Sequence, residues 1–235
     1  MLNNKRLLKC ASMVSGKGTV CDVGTDHAYL PVYLVEEKIC ERAIAGDIAD
    51  GPLEAAAATI NRAGLGEKIT VVKSDGLKEI DPEGITDVVI AGMGGETIIA
   101  IIEAAKWLEN GVNLILQPMT RPEVLRYWLI HNEFSINLEA VSREEQHVYQ
   151  LFRAEIGPRK RMSDAEYLTG SSVVRRTGDD VHFVIDQQLR MIEKKLSGHE
   201  EKRATASAEY AFFLNIKREL EEMRSSAYPM EQNNG

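Results

Sequence analysis

Cys21-Asp22-Val23-Gly24-Thr25-Asp26-His27-Ala28-Tyr29 joins a short apolar run, Thr19–Val23, to a helical pattern, His27–Glu37. The run has the length and composition of a buried strand, and Gly24 stands where that strand turns into the helix. A glycine there lets the backbone pass close to a ligand at the carboxyl end of a parallel sheet. The dinucleotide fingerprint G-x-G-x-x-G uses three glycines to close over a pyrophosphate, and this turn has one. A nicotinamide cofactor is therefore disfavoured, and a cofactor without phosphates at this point is favoured. Taken alone, the glycine also satisfies a plain strand-to-helix turn.

Outward from this turn, apolar runs alternate with helical patterns. Arg42–Asp47, Ile69–Lys73, Asp87–Ala91 and Asn113–Gln117 read as strands, and Gly51–Ala63, Thr97–Glu109 and Pro122–His131 as helices. That rhythm predicts an α/β, Rossmann-like domain whose parallel sheet carries helices on both faces. Phe134–Val141 and His147–Glu155 break it, because both look extended and only a polar stretch separates them. They predict an antiparallel hairpin closing a mostly parallel seven-stranded sheet, the feature that separates methyltransferase topology from the nicotinamide-binding version.

Two further segments flank this core. Residues 2–14 read as an amphipathic helix ended by Ser15-Gly16, with Lys5 and Lys9 one turn apart. After Gly157-Pro158, one stripe from Val181 to Leu196 and another from Tyr210 to Met223 predict a helical hairpin, coiled-coil-like in its packing, with its turn at Ser197-Gly198-His199. The expected division is residues 1–157 as the sheet domain and 158–235 as the helical tail.

The chain has 235 residues, 44% hydrophobic and 27% charged, with a net charge of −8. No apolar run approaches the roughly 20 residues that cross a bilayer, and the N-terminus lacks a signal-peptide apolar stretch, so a cytoplasmic protein without membrane contact is expected. Cys10, Cys21 and Cys40 are scattered and odd in number, which excludes a disulfide framework or a C-x-x-C motif and leaves buried free thiols. The histidines are spread singly and suggest no metal site. The negative total argues against general nucleic-acid adhesion, yet Lys5, Arg6, Lys9 and Lys17 form an N-terminal segment with no acidic residue, and Gly157–Arg176 holds a second basic cluster.

The strand ends supply the candidate binding groups. Asp47 lies 23 positions after Gly24, the range in which an acidic residue accepts hydrogen bonds from ribose hydroxyls; a helix-capping role is the alternative for it. Ile48 follows it. Ser74-Asp75-Gly76 offers a carboxylate for an adenine amino group, or a plain turn. Ala91-Gly92-Met93-Gly94-Gly95-Glu96 reads as a glycine-rich loop without the lysine of a P-loop, and Gln117-Pro118-Met119-Thr120-Arg121 lies alongside it.

Together with the N-terminal Arg6-Leu7 helix and Gly51-Pro52-Leu53-Glu54-Ala55-Ala56, these motifs resemble the bacterial tRNA (adenine-N1)-methyltransferase family that modifies position 22 of tRNA. The resemblance covers residues 5–157 closely, and its most specific elements are the aspartate–histidine–alanine–tyrosine run and the Gly-Met-Gly-Gly loop. It implies a class I methyltransferase domain followed by a helical tail, with S-adenosylmethionine as cofactor and tRNA as partner. Asp22, Gly24, Asp47, Ile48, Asp75, Gly76, Ala91, Gly92 and Met93 are then the expected cofactor residues. Asp26, His27 and Tyr29 are expected at the acceptor base, and Lys5, Arg6, Lys9 and Lys17 on tRNA phosphates. No metal and a monomeric state are expected. A methyltransferase of small molecules or proteins, and an RNA-binding module with a vestigial core, are the competing readings.

Overall fold

Alternating apolar runs become five parallel strands because crossover connections return the chain to the same edge, through helices except between the third and fourth strands, where turns over residues 74–84 do so. The computed structural model describes residues 2–16, 18–108, 111–145, 147–158, 161–171 and 179–227. Its first elements are α1 (Lys5–Ala11), β1 (Thr19–Val23), α2 (Tyr29–Glu36), β2 (Arg42–Asp47), α3 (Asp50–Ala63) and β3 (Ile69–Lys73). Next come β4 (Ile85–Gly94), α4 (Gly95–Ala104), β5 (Asn113–Thr120), α5 (Pro122–His131), β6 (Phe134–Glu144) and β7 (His147–Ile156). The sheet runs β3-β2-β1-β4-β5-β7-β6, with β1 to β5 parallel and β7 antiparallel to both neighbours. This is the Rossmann-like methyltransferase order with its closing hairpin.

Burial on both faces explains why the central strands read as continuous apolar runs. One face packs Ala43, Ala45 and Val89 under α1, α2 and α3 through Cys10, Leu34 and Ile60, and the other packs Val88, Ile90 and Leu116 under α4 and α5 through Ile98 and Leu129. Arg126 of α5 is fully buried. Its guanidinium pairs with Glu139 at 2.7 Å, donates to Gln150 Oε1 at 2.6 Å and lies 4.4 Å from the Phe152 ring centroid. Cys10, Cys21 and Cys40 are buried free thiols, and burial pushes Cys10 up to about 12 and Cys40 to about 11.

The chain forms two compact units, Met1–Lys160 and Arg161–Gly235. The second contains α6 (Asp164–Thr169), α7 (Asp179–Glu201) and α8 (Ala208–Ala227). A reciprocal capping box between Ser163 and Glu166 starts α6, a helix the polar composition had concealed. Ile185, Leu189, Ile192 and Leu196 of α7 are buried with Phe213, Ile216 and Leu220 of α8, and Lys217–Glu193 and Arg224–Asp186 pair across the two helices. The turn is not at Ser197-Gly198-His199. Helix α7 continues through them to Glu201, because His199 is useful within it: its Nε2 lies 3.2 Å from Glu209 Oε2 and its ring 5.9 Å from Phe213. A glycine inside a helix costs only about 1 kcal/mol, which such packing outweighs. No helix of the described residues is long and apolar enough to cross a membrane.

Candidate active site

The carboxyl ends of β1 to β4 open into a cavity of about 380 Å³. Gly24 lies on its wall at φ +72°, a left-handed conformation, and a Cβ there would collide with Met93 Cε. The backbone conformation is what calls for glycine, since the flexible end of Met93 can shift aside. Its N–H and that of Thr25 both donate to Gly46 O, at 2.8 and 3.0 Å, which fixes the turn against the end of β2.

Asp47, Ile48, Asp75, Gly76 and Met93 line the same cavity. Asp47 Oδ1 accepts from Ala49 N–H at 3.0 Å, and Oδ2 lies 3.4 Å from Asp26 N, so one carboxylate ties the cavity rim to the β1–α2 turn. Asp75 pairs with Lys78, and its hydrogen bond and charge raise the lysine's pKa above the ordinary value. Three expected cofactor residues, Asp22, Ala91 and Gly92, are not among the residues lining the cavity. Asp22 sits beneath the turn, 6% exposed, and accepts a 2.7 Å hydrogen bond from Thr25 Oγ1. Its burial pushes the carboxyl up to about 6, partly opposed by the Thr25 bond and reinforced by the charge of Asp47.

Sequence reasoning missed the far wall. Thr97, Ala100, Ile101 and Ala104 of α4 line it at helical spacing. They form a stripe of small and apolar residues whose period was visible, but which looked like ordinary packing. The presumed glycine-rich loop also differs from expectation: Ala91–Gly94 continues β4, with register shifts, against Gln117–Thr120 of β5. Gly92, at φ +84°, donates its N–H to Gln117 Oε1 at 3.0 Å. Gln117 is fully buried and its Nε2 donates to Pro118 O at 2.9 Å.

Asp26, His27 and Tyr29 come together at the outer side of the turn. Asp26 at φ +53° and Ala28 at φ +55° are both left-handed without being glycine, a strain of the kind that collects at functional sites. The result is an exposed carboxylate, an imidazole whose Nε2 is 3.7 Å from it, and the Tyr29 ring stacked on that imidazole at 5.2 Å between centroids. Tyr29 is 52% exposed.

The N-terminal basic residues do not act as one group. Lys5 and Lys9 are exposed. Arg6 instead turns inward, its guanidinium donating to the Gln117 oxygen that also holds Gly92, while its backbone N–H donates to Glu144 Oε1 at 3.0 Å. Lys17, Arg159, Lys160, Arg175 and Arg176 lie outside the described residues. Among the described residues no His, Cys, Asp and Glu cluster could hold a metal ion.

Residues 3–152 match a family model described as a methyltransferase domain. The tRNA (adenine(22)-N(1))-methyltransferase of Bacillus subtilis is 36% identical over 172 residues, which span 73% of this chain and 72% of that protein. The chain belongs to the tRNA (adenine(22)-N(1))-methyltransferase family. Among solved structures, Streptococcus pneumoniae Sp1610 superposes with a TM-score of 0.85 at 31% identity, covering 95% of this chain and 100% of that one. The same protein in complex with S-adenosyl-L-methionine superposes at 0.80 with the same identity and cover. The chemistry of the cavity in this family member suits that kind of ligand. Its rim carries two carboxylates and no phosphate cradle, and its floor is apolar, as a neutral purine, a ribose and a cationic sulfonium require.

Proposed function

We propose that this protein transfers a methyl group from S-adenosylmethionine to N1 of an adenine in tRNA, at position 22 as its family relationship indicates. The observation that carries the reading is the Asp47 carboxylate, which lies on the cavity wall and against the backbone of Asp26, making the cofactor cavity and the Asp26–His27–Tyr29 cluster neighbours. In this reading Gly24, Asp47, Ile48, Asp75, Gly76 and Met93 hold the cofactor, which supplies an already activated methyl group. Asp22 supports the turn from below, and Ala91 and Gly92 shape the strand end.

Adenine N1 is a neutral nitrogen with a lone pair, so the protein has no strong nucleophile to generate. Alignment and exclusion of water carry the rate. N1 lies on the Watson–Crick edge, so the target base must leave its stack at a cost of about a few kcal/mol. Tyr29 offers a ring to receive it. Asp26 accepts a hydrogen bond from the adenine amino group and counters the positive charge that methylation places on the base, with His27 as a second polar contact. Lys5 and Lys9 meet tRNA phosphates. Residues 1–157 carry the chemistry and 158–235 contribute to holding tRNA, in a monomeric, cytoplasmic enzyme.

The test is incubation with unmodified tRNA and labelled cofactor, followed by nucleoside mass analysis. The expected product is 1-methyladenosine at position 22. Asp26→Ala should abolish turnover while cofactor affinity stays within a few fold. Transfer to metabolites but not to tRNA would refute the proposal.

A further inference from the structure

A second cleft, of about 270 Å³, lies between α2, α3 and the residues leading into α1, and it shares no lining residue with the cofactor cavity. Tyr29 and Tyr33 stand one helical turn apart on its α2 side, and Thr59 and Arg62 face them from α3. Among the described residues, no hydrogen bond or ion pair engages the Arg62 guanidinium, the Tyr33 hydroxyl or the Glu36 carboxylate. The cleft thus brings together the exposed Arg62, the open Tyr29 ring, the Tyr33 ring half-buried against the core, and the Glu36 carboxylate. Aromatic faces with one cation near them are the elements that hold an unpaired nucleotide, a ring stacking the base and the cation meeting its phosphate.

The position of the cleft decides its occupant. Tyr29 belongs to it, and the Tyr29 ring stacks on His27, whose Nε2 is 3.7 Å from Asp26. Asp26 in turn adjoins Asp47 on the cofactor cavity. A chain of contacts, running through the Asp26 backbone and then its side chain, therefore leads from the cofactor cavity to this cleft. Each nucleotide flanking the target is tied to it by one phosphate linkage, so when the target base is extruded its neighbours stay within a few ångströms of this end of the site. We infer that the cleft is a subsite for an unpaired nucleotide flanking the methylated adenine, with its base against Tyr33 and its phosphate at Arg62. This inference rests on the tRNA reading above.

Arg62→Glu and Tyr33→Ala, each with Tyr33→Phe as a control that keeps the ring, separate the possibilities. Losing one base stack or reversing one phosphate contact should raise the KM for tRNA by about 5-fold or more. kcat at saturating tRNA and cofactor affinity by calorimetry should remain within twofold, and Tyr33→Phe should behave as wild type. Ultraviolet cross-linking of the wild-type complex should join this cleft to a nucleotide next to the target. Unchanged KM in both Arg62→Glu and Tyr33→Ala, with the wild type active on tRNA, would overturn the subsite alone. A cross-link to a distant nucleotide would also overturn it. A wild type inactive on tRNA overturns the functional reading beneath it.

Discussion

Asp22→Asn measures what the sheet domain gives up to keep a carboxylate under the β1–α2 turn. Burial raises that carboxyl from 3.8 to about 6. A group whose folded pKa lies above its unfolded value binds its proton more tightly in the folded state, so its contribution is fully present below about pH 3.8 and is lost as pH rises through about 6. At about 1.36 kcal/mol per unit, the complete loss is about 3 kcal/mol, of which roughly 1 kcal/mol falls between pH 5 and 7. Asparagine keeps an acceptor for the Thr25 hydroxyl but cannot ionise, so it lacks this slope. The assay is urea unfolding of both proteins at pH 5, 6, 7 and 8, followed by tryptophan fluorescence, because Trp107 and Trp128 both lie in Met1–Lys160. Titrating groups that are not coupled to Asp22 cancel in the difference, and the named coupling to a carboxylate, with Asp47, is the smallest of the three causes of the shift. The stability of the variant minus that of the wild type should grow by roughly 1 kcal/mol from pH 5 to 7 and then level off. Parallel pH profiles would refute the claim that burial controls this carboxyl.

Two other perturbations test the frame around the site. Arg6→Ala removes a charged hydrogen bond to Gln117, worth about 1.5–3 kcal/mol, and should lower kcat about 10- to 150-fold if that bond positions the Gly92 strand end. Its tRNA KM and salt slope should stay within twofold; a raised KM with unchanged kcat would return Arg6 to the phosphate contacts. Arg126→Ala leaves Glu139 buried without its cation, so the sheet domain should lose about 3–5 kcal/mol and roughly 6–20 °C of Tm by calorimetry. Replacing Glu139 as well, as in Arg126→Met with Glu139→Leu, should recover much of the loss, and no recovery would argue against an uncompensated charge as its cause.

The parallel strands and the closing hairpin were legible because each depends on a local pattern: buried parallel strands are continuously apolar, and the β6 and β7 runs are separated by too few residues for a crossover. The order of the strands across the sheet has no such local signal. The carboxylates at strand ends were legible for a related reason, since position along the chain fixes which edge of a parallel sheet a residue occupies. What composition leaves open is direction. Arg6 has the composition of an RNA contact, yet it faces Gln117, a residue 111 positions away in the chain. Ala91–Gly94 has the composition of a loop, yet β5 supplies partners that keep it in the sheet. Ser197-Gly198 has the composition of a turn, yet the Glu209 and Phe213 contacts of His199 keep it helical.

The opening stretch shows the same division within nine residues. Gly24 could be placed from sequence because its constraint is its own backbone conformation and the space above it. Asp22 could not, because an aspartate two residues before the glycine reads equally well as a ligand or as a buried support. Only the depth of the side chain separates these, and depth is set by how β1 seats between β2 and β4. Asp26 lies beyond the strand, where the left-handed turn turns its carboxylate outward while its N–H stays against Asp47. A buried carboxyl with a raised pKa and an exposed one four residues later are thus products of one strand-to-helix turn.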